Sequence, residues 1–122
     1  HVAAISNPTD TDKTRRFLEG LVEYAKPVCE LKTSIYFNVI INVSPSCDCA
    51  RNPKKPFVAD IGILASFDIV AIEAAAHDLV DKAHKCDDAF LKENSVSGKH
   101  QIAYAAKMSM GNIKYRLINI DK

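Results

Sequence analysis

Apolar residues recur along this chain at two different periods. From Thr9 to Lys26, Phe17, Leu18, Leu21, Val22 and Ala25 fall at helical spacing, which predicts an amphipathic helix with Asp10 or Asp12 placed to cap its start. Pro27 has no amide proton to donate, so the helix ends near Lys26 or continues, kinked, through Val28 and Leu31. The stretch SIYFNVIINVS then switches to period two, a strand with Ile35, Phe37, Val39, Ile41 and Val43 on one face and Tyr36, Asn38, Ile40 and Asn42 on the other. Buried asparagines need hydrogen-bond partners, so the second face is partly wet or lines a polar pocket near the strand end. FVADIGILAS is nearly continuously apolar, the pattern of an interior strand covered on both faces, and Gly62 within it permits close backbone approach.

Helical spacing returns after Asp68, a cap for IVAIEAAAHDLVDKA, where Ile72, Ala75, Ala76, Leu79, Val80 and Ala83 form a stripe. A short helix is expected around Ala89 to Lys92. Ser97 is placed to cap a further helix that turns Ile102, Ala105, Ala106 and Met110 inward and stops at Gly111. KYRLINI alternates as a terminal strand, and HVAAI, closed by Ser6-Asn7-Pro8, as a short opening one. Strands mingled with helices of crossover length predict an α/β fold. Its sheet is expected to be a single layer, mixed or mostly parallel, centred on 35–43 and 59–65 and flanked by three to four helices.

The 122 residues suit a single domain over 1–122. No apolar run approaches the roughly 18 residues of a membrane span, so no membrane partner is expected. Sixteen basic and fifteen acidic side chains leave +1, too weak a field to gather nucleic acid. The chain opens on His1 rather than methionine, and residues 1–5 lack the features of a secretory signal, so either its start was removed or it is part of something longer. Four cysteines in a chain this rich in aliphatic residues point to a reduced, cytoplasmic setting rather than a disulfide scaffold.

Candidate chemistry gathers in SPSCDCARNPKKP, a long loop between the two central strands. Two thiolates one residue apart, Cys47 and Cys49, can face one soft metal ion, with Zn²⁺ or an iron-sulfur cluster the leading candidates. Further ligands would be Asp60 at the next strand and His1. Structural zinc sites usually space their cysteines more widely, and the pair can equally pack as small buried thiols or form a strained disulfide. Asp60, a carboxylate entering an apolar strand, serves either as an acceptor for loop amides or as a ligand or charge partner of the cysteine loop. Arg51, Lys54 and Lys55 add a small basic cluster. Cys29 reads as core filler, and the spacing of Cys29 and Cys86 to the pair matches neither ferredoxin run. His77 reads as a structural helix residue. No phosphate loop, H-E-x-x-H or G-x-S-x-G occurs.

Three segments, VEYAK, SPSCDCARNPKKPFVADIGILASFDIVAIEAAAHDLVDKA and QIAYAAKMSMGNIKYRLINI, together resemble the C-terminal part of the domain of unknown function 362 family, often described as iron-sulfur or ferredoxin-like proteins. The resemblance rests on Cys47, Asp48, Cys49, Asp60, Gly62, Ser66 and Asp68, and His1 falls where longer relatives carry a histidine. It implies a stand-alone version or a piece of a longer protein. The chain departs from the family in lacking Cys-x-x-Cys-x-x-Cys runs, so an iron-sulfur role does not transfer through those residues. Three functional expectations follow: a metal- or iron-sulfur-associated domain, acting in electron transfer through the Cys-Asp-Cys loop; a non-catalytic interaction module that meets a missing domain, a partner subunit or another copy of itself; and, least supported, a thiol enzyme using a Cys-His pair.

Overall fold

The computed structural model describes residues 11–46 and 51–121, so the expected opening strand lies outside the described residues. The order is α1 (Thr11–Leu31), β1 (Tyr36–Ile40), β2 (Gly62–Ser66), α2 (Ile69–His84), α3 (Ala89–Asn94) and α4 (Lys99–Lys107). The α/β character holds, with four helices around a small sheet among the described residues. Helix α1 runs through Pro27 to Leu31 rather than stopping at it.

The sheet differs from the expectation in direction. β1 and β2 pair antiparallel, Tyr36 opposite Ser66 and Ile40 opposite Gly62, and they are the two strands of the sheet among the described residues. A parallel neighbour needs a crossover, usually a helix, whereas among the described residues no helix lies between β1 and β2. Two further strand expectations are corrected. β2 is covered on one face and not on both, since Ile63 and Ala65 are exposed. Residues 114–120 form no ladder, because their segment is tethered to α2 instead: the Tyr115 hydroxyl donates to Asp78 Oδ2 at 2.6 Å.

Helix α2 lies at the centre. Val70 and Ala74 meet Val22 of α1 and Ile102 and Ala105 of α4 in one cluster of buried residues. Ala76 and Val80, on another side of α2, meet Ile40 and Ala89 in a second, with Leu64, Phe57 and Phe90 packed around it. Ala83, expected in the apolar stripe, is exposed. Polar links fasten α1 to α4: Glu19 Oε1 pairs with His100 Nε2 at 2.9 Å, Tyr104 donates to Glu23 at 2.9 Å, and Lys26 Nζ donates to the Met108 carbonyl at 2.7 Å. The partners advance together along both helices, which therefore run parallel.

Asp68 begins α2, and it does more than cap it. Its Oδ1 accepts the amides of Val70 and Ala71 at 2.9 Å, while Oδ2 accepts the Asn112 amide at 2.9 Å and the Asn112 side chain at 3.3 Å. Gly111 lies so close that a Cβ there would clash with Oδ1. One carboxylate thus joins the start of α2 to the chain leaving α4. Gly98 rather than Ser97 is the N-cap of α4, yet Ser97 Oγ still accepts the amide of Lys99, the first residue of that helix, at 3.3 Å, while its hydroxyl donates to Asp88, the N-cap of α3. Asp81, buried, accepts the Ala89 amide at 2.8 Å and pairs with Lys99 Nζ at 2.7 Å, setting α3 and the head of α4 against α2.

Burial, the largest single influence on Asp68, pushes its carboxyl up. The amides of Ala71 and Asn112, the Asn112 side chain and the Val70 amide together outweigh it and hold the group below its ordinary value. Asp68→Ala should lower stability by about 1–2 kcal/mol, the usual cost of a lost cap, read from denaturant unfolding. The contribution is fully present above the unfolded-state pKa of about 3.9 and is lost as pH falls through the lower folded value. The gap between parent and variant should therefore be constant above about pH 5 and narrow progressively as pH falls below about 3.9.

Candidate functional site

The loop between the strands has a defined neck. Ile61 donates to the Ile40 carbonyl and Phe57 to the Val43 carbonyl, both at 2.9 Å, so the chain is closed twice before the loop opens. Asn42 turns the corner with φ of 51°, a left-handed conformation that asparagine tolerates. Its amide donates to Asp60 Oδ1 at 2.8 Å. Asp60 therefore acts as an acceptor for a loop amide, one of the two roles expected of it, and it is exposed rather than buried. Further out, the Ser44 hydroxyl donates to the Ser46 carbonyl at 2.7 Å, and Ser46 Oγ accepts the Lys54 amide at 3.4 Å.

Cys47, Cys49 and His1 lie outside the described residues. Among the described residues no group of three or more His, Cys, Asp or Glu side chains is arranged to hold a metal ion. Cys29 and Cys86 cannot share one cluster. Cys29 lies in a cleft with Phe67 and Ile69 at the start of α2, whereas Cys86 packs with the second core cluster just beyond its end. A 16-residue helix separates those places by about 24 Å. A single four-cysteine cluster is thus excluded, and each thiol has a local role: Cys29 interacts with Tyr36, raising the phenol above its ordinary value, and Cys86 fills core space.

His77 is a structural residue with one anomaly. Its ring lies 5.0 Å from that of Phe90 and against Gly98, where a Cβ would come within 2.6 Å of it. Nδ1 is buried without a hydrogen-bond partner. Burial lowers its pKa, opposed by the charges of Glu73, Asp81 and Asp88, and this favours the neutral ring.

The sheet presents the feature that the sequence reading did not single out. Tyr36, Asn38 and Ile40 face inward with Leu64, and Asn38 Nδ2 finds its partner in Glu73 Oε1 of α2 at 3.2 Å. The alternate set faces solvent: Phe37 is 69% exposed, Ile63 69% and Val39 52%, with Ala65 exposed between them. Ile35 and Ile41 flank this set and are exposed too. The strand turns its more apolar side outward. The clue in the sequence was the mixture of Asn38 with Ile40 on one face against an unbroken apolar series on the other.

The family model for a domain of unknown function, DUF362, matches residues 3–78. The chain belongs to the DUF362 family. The match takes in α1, both strands, the loop and the first part of α2, so the neck and the outward sheet face are DUF362 structure; α3 and α4 lie beyond the matched stretch. No curated protein and no solved structure matches the chain. Among the described residues no helix is long and apolar enough to cross a membrane.

Asp60→Ala removes the acceptor at the neck. It should cost about 0.5–1.5 kcal/mol, the worth of one such hydrogen bond. Hydrogen exchange at the Asn42 amide should quicken, and protease should cut the 44–56 loop sooner, while exchange within α4 is unchanged.

Proposed function

We propose that this DUF362 chain is a non-catalytic interaction module that works through the outward face of its sheet. The observation that carries this reading is the orientation of β1 and β2: the face bearing Phe37, Val39 and Ile63 is turned to solvent, although it is the more apolar of the two. Contiguous exposed apolar patches of this kind mark association surfaces in folded proteins. Neither strand carries a charged side chain that would discourage contact.

Serine at solvent-facing positions tests the reading. At concentrations low enough to leave the face uncovered, Phe37→Ser and Ile63→Ser should each shift the free energy of unfolding by less than about 1 kcal/mol, within the span of strand propensity. Both should raise solubility and reduce binding of a hydrophobic dye. A loss of about 3 kcal/mol or more, the cost of emptying a core position, would show that these side chains are buried in solution and would end the reading.

A second reading is favoured by the neck, which holds both ends of the sulfur-bearing loop together beside Asp60. Cys47 and Cys49 with Asp60 and His1 would offer two sulfurs, one oxygen and one nitrogen, a donor set suited to Zn²⁺. An iron-sulfur cluster acting in electron transfer would need thiolates beyond this pair, and Cys29 and Cys86 cannot both supply them. Metal analysis of anaerobically purified protein should find about one zinc per chain, lost in Cys47→Ser/Cys49→Ser. Metal-free protein with unchanged stability in the double variant would remove this reading.

A further inference from the structure

We infer that the occupant of the outward sheet face is a second copy of this chain, packed face to face about a two-fold axis parallel to the strands. The inference rests on the proposed interaction role and names its partner. Its basis is the cross-strand register. Phe37 lies directly opposite Ala65, and Val39 directly opposite Ile63, so the face carries one large knob beside one shallow dent, next to a level pair.

An axis running along the strands midway between β1 and β2 exchanges the two strands between facing sheets. Each Phe37 then stands over the partner's Ala65, and each Val39 over the partner's Ile63. Large meets small and medium meets medium, the interdigitation that stacked sheets about 10 Å apart require. Any axis perpendicular to the strands would reverse their direction and lose this match. An isologous contact of this kind places no like charges together, because the face has none.

The chemistry of the face also argues for self-association over a foreign partner. Selective recognition of another protein draws on charges, directional hydrogen bonds or aromatic anchors in pockets. The exposed side chains of β1 and β2 offer no charge and no side-chain hydrogen-bonding group, and their one aromatic, Phe37, has its complement in the dent at Ala65 of a second copy. From the fractional exposures, each copy would bury on the order of 500 Å², about 1,000 Å² for the pair. That lies at the lower limit for a specific interface, so the dimer should be reversible, with a dissociation constant of roughly 1–100 µM.

The test is sedimentation equilibrium of the full chain across that concentration range, with circular dichroism confirming the fold of each variant. Parent protein should pass from monomer to dimer and stop there. Ala65→Phe fills the dent on an exposed position and makes the face more apolar, yet it should weaken the dimer about tenfold or more by excluding the partner's Phe37. Phe37→Ser, the second variant, should weaken it similarly. Parent protein that remains monomeric throughout, or an Ala65→Phe dimer as tight as the parent's or tighter, overturns the inference. Monomeric parent with soluble, fully stable serine variants would overturn only the choice of partner. Serine variants that unfold would instead remove the interaction reading beneath it.

Discussion

Burying two sides of α2 at once is the constraint from which the remaining architecture follows, because an alanine-rich helix has little side-chain volume of its own and must draw its neighbours close. Val70 and Ala74 receive α1 and α4, and Ala76 and Val80 receive the sheet and α3. Small residues let these neighbours approach, and the buried area then depends on both sides being filled together. Asp68 and Asp81 set the geometry at the two ends of the helix. Asp68 ties its first turn to the segment after α4, and Asp81 ties its last turns to α3 and Lys99.

That same constraint determines which face of the sheet is used. The surface of α2 that meets β1 contains Ala76, Val80 and Glu73, and the set Tyr36, Asn38 and Ile40 suits it: Ile40 fills the space over small residues, and Asn38 satisfies Glu73. A one-residue slip would turn every side chain over, bringing Phe37 and Val39 onto α2 and leaving Glu73 against apolar groups. The polar pair therefore helps to hold the register. The outward apolar series is the consequence of that choice.

Much of the helical architecture was legible in the sequence. The spacing of Phe17 to Ala25, the Asp68 cap and the stripe from Ile72 to Val80 correspond to described elements, whereas α4 ends at Lys107, capped at Met108, short of the stop expected at Gly111. Local chemistry governs each of these, so a local pattern could predict them. Sheet direction was not legible, because Ile35 to Val43 reads the same whether its neighbour returns by a helix or a loop. KYRLINI has a strand's alternation, but a strand also needs an edge to pair with, and Asn112 and Tyr115 instead fasten its segment to Asp68 and Asp78 of the α2 region. At the loop, a carboxylate entering an apolar strand marks Asp60 as unusual and makes an acceptor role one of two expectations; the left-handed turn at Asn42 that makes this role possible has no signature beyond the residue itself.

The outward face and the loop neck belong to one mechanical unit, since β1 and β2 end where the neck begins. Two strands alone form a marginal sheet, stabilised here on one side by α2. Any cover over Phe37, Val39 and Ile63 removes apolar surface from water only while the strands remain paired, so it adds its free energy to the cost of separating them. The bonds from Ile61 to Ile40 and from Phe57 to Val43 continue that pairing into the loop. Association at the face would thus steady the base from which Cys47 and Cys49 extend, and a ligand that tightened the loop would by the same linkage favour association. The two readings of this DUF362 chain are therefore not rivals for the same residues; they describe two ends of a pair of strands whose stability each would raise.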